Sequence, residues 1–324
     1  MLLLEPIYEQ DFFDCSYGFR PARNAHQALQ AVRTSIMARG GRWVLDVDLR
    51  KYFDSIDRTK LREVLDHRVT DGVVRRLIDK WLNAGVLEDG QLQYPDLGTP
   101  QGGVISPCLA NIFLHYVLDG WFVDEVQPRL RRPSTLVRFA DDFVALLGCK
   151  EDADRVMTVL EKRLGKYGLQ LHPDKTKMVD FRPIKMATAP SGEATMATTF
   201  TFLGFLHVWG KSRKGNRVVR QQTAKDRVAR ALRAINEKCR RMRTEPLAAQ
   251  HRQLSQQLKG HFAYFGISGN SKRLANLRYQ TRRIWRTWLS RRSNNSRVTW
   301  EDFARIEKRF PLPPPAIVHR YAGA

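Results

Sequence analysis

The segment RWVLDVDL (42–49) constrains the fold more than any other stretch of the chain. Its residues alternate, with Trp43, Leu45, Val47 and Leu49 on one side of a strand and Val44, Asp46 and Asp48 on the other. An apolar strand with two carboxylates on one face loses stability unless something cationic meets them. Two aspartates near a strand end therefore suggest a metal or catalytic edge. A second segment, TLVRFADDFVALLG (135–148), sets an apolar strand on either side of Ala140-Asp141-Asp142, the pattern of a tight hairpin with a carboxylate pair at its tip. Aspartate is also a common turn residue, so the pair alone has an ordinary structural reading.

Around these strands the pattern is helical. Helices are expected over Ala25–Met37, through Ile56, Leu61, Val64 and Leu65, over Val73–Leu82, over Ser106–Phe122, and from Glu151 to Tyr167 with Gly168 as a left-handed cap. The Gly- and Pro-rich GTPQGGVISP (98–107) interrupts them and forbids a regular element. A polar Ala/Thr/Ser-rich insertion (187–199) precedes the strand-like TFTFLGFLHVW. Strands alternate with helices without regular βαβ periods, which predicts an α/β (α+β) unit with one mixed sheet and helices on one face.

Charge divides the chain. Residues 1–200 carry 27 Lys and Arg against 27 Asp and Glu, whereas residues 201–324 carry 28 against 6, so the whole net charge of +22 belongs to the last 124 residues. KSRKGNRVVR (211–220) has the sign and flexibility of a phosphate-contacting linker. Beyond it, Val228, Ala231, Leu232, Ile235 and Met242 recur at helical spacing with Arg227 and Arg230 on other faces. Leu274, Leu277, Ile284, Trp285 and Trp288 do the same beside Arg282 and other arginines. A small helical domain with a basic exterior follows, whose tryptophans pack as core or stack on exposed bases. Nucleic acid is the natural partner. No apolar run is long enough to span a bilayer and MLLLEP does not make a signal peptide, so no membrane partner and a cytoplasmic location are expected. Cys15, Cys108, Cys149 and Cys239 lack disulfide or zinc spacing.

Carboxylates from separate strands are what two-metal nucleotidyl transfer requires. Here the sequence resembles a family. YGFRP (17–21), DLRKYFDSID (48–57), GTPQGGVISPCLANIFL (98–114), RFADD (138–142), GLQLHPDKTK (168–177) and FLGF (202–205) resemble the successive blocks of reverse transcriptases, more narrowly those of bacterial group II introns. LKGHFAYFGISGN (258–270), WLSRRS and FPLPPP are similar to their thumb, or maturase, domain. The resemblance implies a right-hand polymerase palm with an antiparallel sheet and packed helices over 1–207, a basic linker over 208–222, and an all-α thumb/maturase domain over 223–324.

It also implies roles. Asp48, Asp141 and Asp142 would be catalytic and, with the Leu49 carbonyl, would hold two Mg²⁺ or Mn²⁺ ions. Lys175 would stabilise charge near the leaving phosphates or act as a general acid. Phe53 would exclude a ribose 2′-OH, and Gln101 with Gly102 would line the incoming nucleotide. Phe202, Leu203 and Gly204 would grip the primer. Arg20 and Arg23 would meet template or phosphates, or instead ion-pair with Asp11 or Asp14. Arg227, Arg230, Arg282 and Tyr264 would contact RNA. Asp46 is left a structural role. The implied partners are intron RNA template, a DNA or RNA primer, and dNTPs.

The family's chain normally begins earlier, so most of the fingers are expected to be missing, and no Cys/His-rich endonuclease domain is expected. Three functions compete: an RNA-directed DNA polymerase with maturase activity, a non-enzymatic RNA-binding splicing factor, and a carboxylate-dependent nuclease, which fits PQG, FLGF and Phe53 less well.

Overall fold

The computed structural model describes residues 4–83, 86–88, 91–93, 105–183, 198–212, 214–292 and 297–321. They fall into two compact units, Met1–Leu203 and Gly204–Ala324. In chain order the first unit contains α1 (Leu4–Tyr8), α2 (Ala25–Thr34), β1 (Trp43–Val47), α3 (Tyr52–Ser55), α4 (Arg58–Asp66), α5 (Gly72–Asn83), a short hairpin β2 (Val86–Glu88) and β3 (Gln91–Gln93), α6 (Ser106–Leu114), β4 (Thr135–Phe139), β5 (Asp142–Leu147), α7 (Lys150–Lys166), β6 (Lys177–Asp180) and β7 (Phe200–Phe202).

Four of these strands form one antiparallel sheet in the order β4-β5-β1-β6. The alternation in β1 sends Leu45 and Val47, and just beyond them Leu49, into a core shared with Leu109, Ile112 and Phe113 of α6 and Val156, Leu160 and Leu164 of α7. Asp46 and Asp48 are left on the opposite face. The register pairs Leu45 with Ala145 and Val47 with Phe143, and on the other side pairs Asp46 with Lys177.

Two helices depart from the periodicity of the sequence. The stretch after Tyr52 is divided because Asp57, in extended backbone, accepts hydrogen bonds from the Thr59 and Lys60 N–H groups and starts a new helix, α4. The helix begun by α6 does not run regularly to Phe122 but widens into π-helical turns over His115–Asp119 and Trp121–Val126. The Arg163 guanidinium donates to the carbonyls of Val117 and Tyr116 at 3.0 and 3.2 Å, satisfying acceptors that the wider turns leave available. Gly168 takes the left-handed conformation after α7, with φ 78°, and the Leu169 N–H returns to the Leu164 carbonyl.

The second unit begins with β8 (Phe205–Lys211) and β9 (Arg217–Thr223), followed by α8 (Lys225–Arg241), α9 (Leu247–Phe265), α10 (Ser271–Leu289) and α11 (Trp300–Arg309). The span 208–222, expected as a linker, is therefore mostly a paired ribbon. Its alternation of Val219, Gln221 and Thr223 toward the interior supplies strand patterning that the surrounding basic residues obscure. Asn270 ties the end of the ribbon to the helices: its carbonyl accepts from the Thr223 N–H, and its amide donates to Thr223 Oγ1 and the Phe265 carbonyl, both at 2.8 Å.

The helices close over Ile235, Leu254, Leu258, Leu274, Leu277 and Trp285. Trp285 is 0% exposed, and its indole N–H donates to Gln250 Oε1 at 2.9 Å. Gln250 in turn donates to the Glu245 carbonyl, so this buried polar pair is satisfied. Trp285→Ala should lower the stability of the second unit by about 3–5 kcal/mol in urea denaturation, through the cavity it leaves and the stranded Gln250 acceptor.

Candidate active site

The hairpin that carries the aspartate pair is built by a buried cation. Arg138 on β4 is 0% exposed, and its guanidinium makes a two-pronged ion pair with Asp119, Nε to Oδ1 at 2.8 Å and Nη2 to Oδ2 at 2.6 Å. Its Nη1 donates both to Asn111 Oδ1 and to the Ala140 carbonyl, each at 2.9 Å. Asn111 then donates to the Gly18 carbonyl at 2.6 Å. The backbone of Arg138 is also clamped, donating to the Cys15 carbonyl and accepting from the Tyr17 N–H. One side chain thus joins the π-helical turn, α6, the YGFRP block and the hairpin.

Gly18 lies against the hairpin so closely that a Cβ there would overlap the Ala140 backbone nitrogen. Ala140 itself adopts φ 59°, left-handed backbone that a residue with a Cβ holds only when its surroundings impose it. The turn that carries Asp141 and Asp142 is therefore fixed by its surroundings. Continuing the β1–β5 register by one pair from Val47 and Phe143 sets Asp48 across from Asp142 on the face that also bears Asp46.

Four carboxylates, Asp46, Asp48, Asp141 and Asp142, consequently share one region. Burial, then repulsion from Asp46, Asp141 and Asp48, pushes the Asp142 carboxyl up to about 7, against one hydrogen bond from the Leu203 backbone N–H. Burial and the charge on Asp48 raise Asp46 to about 6, opposed by Lys177. Asp141 is also raised, chiefly by burial, with Asp48 adding and Arg138 and Lys175 opposing.

Cations approach from β6 and the turn before it. Lys175 Nζ stands 2.6 Å from Asp48 Oδ2. The His172 N–H donates to the Asp48 carbonyl at 2.8 Å, and the Thr176 hydroxyl reaches the same oxygen at 3.5 Å, so this turn is anchored on Asp48's own backbone. Among the described residues no three His, Cys, Asp or Glu side chains stand together as a metal-ligating group. The donor chemistry nevertheless suits a hard divalent cation such as Mg²⁺, since carboxylate and carbonyl oxygens are its preferred ligands and the carboxylates repel one another without a cation.

The remaining expected residues divide. Leu49 is buried and forms an isolated antiparallel bridge with Leu171, with the Arg50 N–H donating to the Gln170 carbonyl. Phe53 is half-buried on α3, with its ring centroid 5.4 Å from that of Tyr52. Phe202 is buried, while Leu203 and Gly204 both take left-handed backbone, at φ 50° and 77°. Gln101 and Gly102 lie outside the described residues.

Arg20 does not reach outward. It is buried, ion-paired with Glu9 at 2.7 Å, and donates to the Phe13 and Ser16 carbonyls, a partner set that neither Asp11 nor Asp14 suggested. Arg23 pairs with Asp14 at 2.5 Å. Arg282 is likewise committed, through two hydrogen bonds of 2.6 and 2.5 Å to Glu307 on α11, because a nearly buried carboxylate needs a matching fork. Tyr264 packs its ring on Phe205 and Phe265. Arg227 and Arg230 are exposed on α8. Trp288 donates its indole N–H to Asn236, and Trp300, 45% exposed, lies under the Arg286 guanidinium at 4.3 Å.

Residues 1–207 match the family described as reverse transcriptase (RNA-dependent DNA polymerase), and the chain belongs to that family. Among curated relatives, it is 34% identical over 213 residues to protein YkfC of Escherichia coli K12, covering 55% of each chain. It is 43% identical over 114 residues to the group II intron-encoded protein LtrA of Lactococcus lactis, covering 35% of this chain and 19% of that one. It thus spans about half or less of the length of these relatives. An apo telomerase from Candida tropicalis shares the fold at TM-score 0.50 and 13% identity, over 95% of this chain and 57% of that one. Among the described residues no helix is long and apolar enough to cross a membrane.

Two outcomes follow from the site. Arg138→Met leaves Asp119 buried without its partner and should cost about 3–5 kcal/mol in chemical denaturation. Because Asp142 holds its proton up to about 7 when folded but titrates near 4 when unfolded, the folded protein binds more protons between those values. Stability in EDTA should therefore fall as pH rises through that window. Asp142→Asn should flatten the slope, leaving the part due to Asp46 and Asp141, and raise stability at pH 8 by about 2 kcal/mol, read from melting curves across pH.

Proposed function

We propose that this chain is the palm and thumb portion of an RNA-directed DNA polymerase of the group II intron type, joining dNTPs to a primer 3′-OH on an RNA template. The observation that carries this reading is the meeting of Asp48 with the Asp141–Asp142 hairpin at one end of an antiparallel sheet in a chain of the reverse transcriptase family. Asp48, Asp141 and Asp142, with the Leu49 carbonyl, are the residues that would hold two Mg²⁺ ions. Such ions, when bound, lower the pKa of an attacking hydroxyl and stabilise a departing pyrophosphate oxygen.

The protein's own groups do the positioning. Arg138, through the Ala140 carbonyl, fixes the hairpin so that Asp141 and Asp142 keep one orientation. Phe53, half-buried beside Tyr52, is a rigid wall suited to rejecting a ribose 2′-OH. The Leu203 N–H steadies Asp142 by donating to its carboxylate. Gln101 and Gly102 are assigned to the incoming nucleotide from the sequence pattern alone. Arg227 and Arg230 are the better candidates for RNA phosphates, since Arg20 and Arg282 are committed to internal carboxylates.

A second reading, an RNA-binding splicing factor without polymerase activity, is favoured by the confinement of the +22 charge to the second unit. LtrA is named as intron-encoded, and a relative from Arabidopsis thaliana, 32% identical over 96 residues, is named a nuclear intron maturase. Maturase assistance to intron RNA therefore belongs to the proposal under either reading. Mg²⁺-dependent dNTP incorporation on a primed RNA template separates them. Asp141→Ala should abolish extension while RNA affinity, followed across salt concentration, stays near that of the parent protein; extension by neither protein, with tight salt-sensitive binding in both, would favour the second reading.

A further inference from the structure

The carboxylate cluster contains a cation of its own. Lys175 Nζ sits 2.6 Å from Asp48 Oδ2, within direct contact of an oxygen that the proposed function assigns to a divalent ion. We propose that Lys175 is a displaceable counter-ion, competing with a divalent cation for Asp48 and leaving that carboxylate when the cation arrives. This rests on reading the cluster as a metal site.

Three features make the lysine suited to the task. It is delivered by a turn whose backbone is tied to the Asp48 carbonyl through the His172 N–H at 2.8 Å and closed by the Thr176 N–H donating to the His172 carbonyl at 2.9 Å. The ammonium therefore returns to the same carboxylate whenever the cation departs. The Lys175 side chain is 61% exposed, against 32% for Asp48, so it can swing into water without crossing a packed layer. A second lysine, Lys177, lies across from Asp46 and offsets the charge there, leaving Lys175 as the cation that meets Asp48 directly.

The charges that bear on Asp48 are then Asp46, Asp141 and Asp142 on the acidic side and Lys175, Lys177 and Arg138 on the basic side. Arg138 is occupied by Asp119, and Lys177 stands opposite Asp46 in the strand register. Among the described residues Lys175 is accordingly the one of these cations in direct contact with the Asp48 carboxylate. A Mg²⁺–oxygen bond of about 2.0–2.1 Å cannot form at a lone pair already directed at an ammonium, so the two cations exclude each other there.

Mn²⁺ binding to the full chain, measured by electron paramagnetic resonance of the unbound ion, tests this without reference to activity. Lys175→Ala should bind Mn²⁺ about fivefold more tightly than the parent protein, the scale expected for removing a partly exposed competing ion pair. Lys175→Arg, which keeps the charge, and Lys162→Ala, an exposed lysine on α7, should stay within about twofold of the parent. Asp48→Asn defines the binding that belongs to the cluster. Equal or weaker Mn²⁺ binding by Lys175→Ala, with binding still lost in Asp48→Asn, would overturn the inference and leave the metal site standing. No Asp48-dependent binding in any of the proteins would overturn both.

Discussion

The ion pair between Arg138 and Asp119, both 0% exposed, is the interaction on which the first unit's functional end depends. An unpaired charge at that depth would cost several kcal/mol, so the pair must be complete, and its hydrogen-bonding reach is what gives it structural consequence. By also taking the Ala140 carbonyl, Arg138 holds a turn with left-handed backbone in place. Through Asn111 it fastens Gly18, whose bare Cα lets the YGFRP segment lie against that turn. The π-helical widening after α6 belongs to the same construction, since Asp119 sits at its end.

Above this cationic floor the design is opposite in sign. Burial and neighbouring carboxylates raise the cost of ionising Asp142, Asp141 and Asp46, and Lys175 and Lys177 stand beside Asp48 and Asp46. Such an arrangement sacrifices stability at neutral pH. The second unit resolves its excess charge differently. It places most of its arginines on the outside of a core formed by Trp285, Leu274 and Leu277, and commits a minority, such as Arg282, to internal carboxylates.

Much of this was legible in the residues. The alternation of 42–49 and the apolar flanks of Ala140-Asp141-Asp142 specified three strands and, for the first, the face that bears Asp46 and Asp48, because a period of two allows no other assignment. The sequence reading ends the palm at 207 before a basic linker, whereas the compact units divide between Leu203 and Gly204. Other features were not legible. Arg138 reads as one polar residue in a strand, and its partner Asp119 lies 19 positions away on a helix. Arg20 and Arg282 look like surface cations until the fold brings Glu9 and Glu307 to them. The strand character of 208–222 was hidden by its basic residues, although Val219, Gln221 and Thr223 alternate toward the interior.

The sequence by itself determined which residues are candidates for chemistry and the strands and helices whose periodicity is not masked by charge, since both follow from residue type and short-range pattern. Only the tertiary structure decided which charges meet. The closeness of Lys175 to Asp48, the repulsion of Asp142 by Asp46 and Asp48, and the burial of Arg138 against Asp119 all join residues that are not neighbours in the chain. Coulombic and desolvation energies depend on distance and depth rather than on order along the backbone. They are therefore fixed at the moment the sheet and its helices close around them.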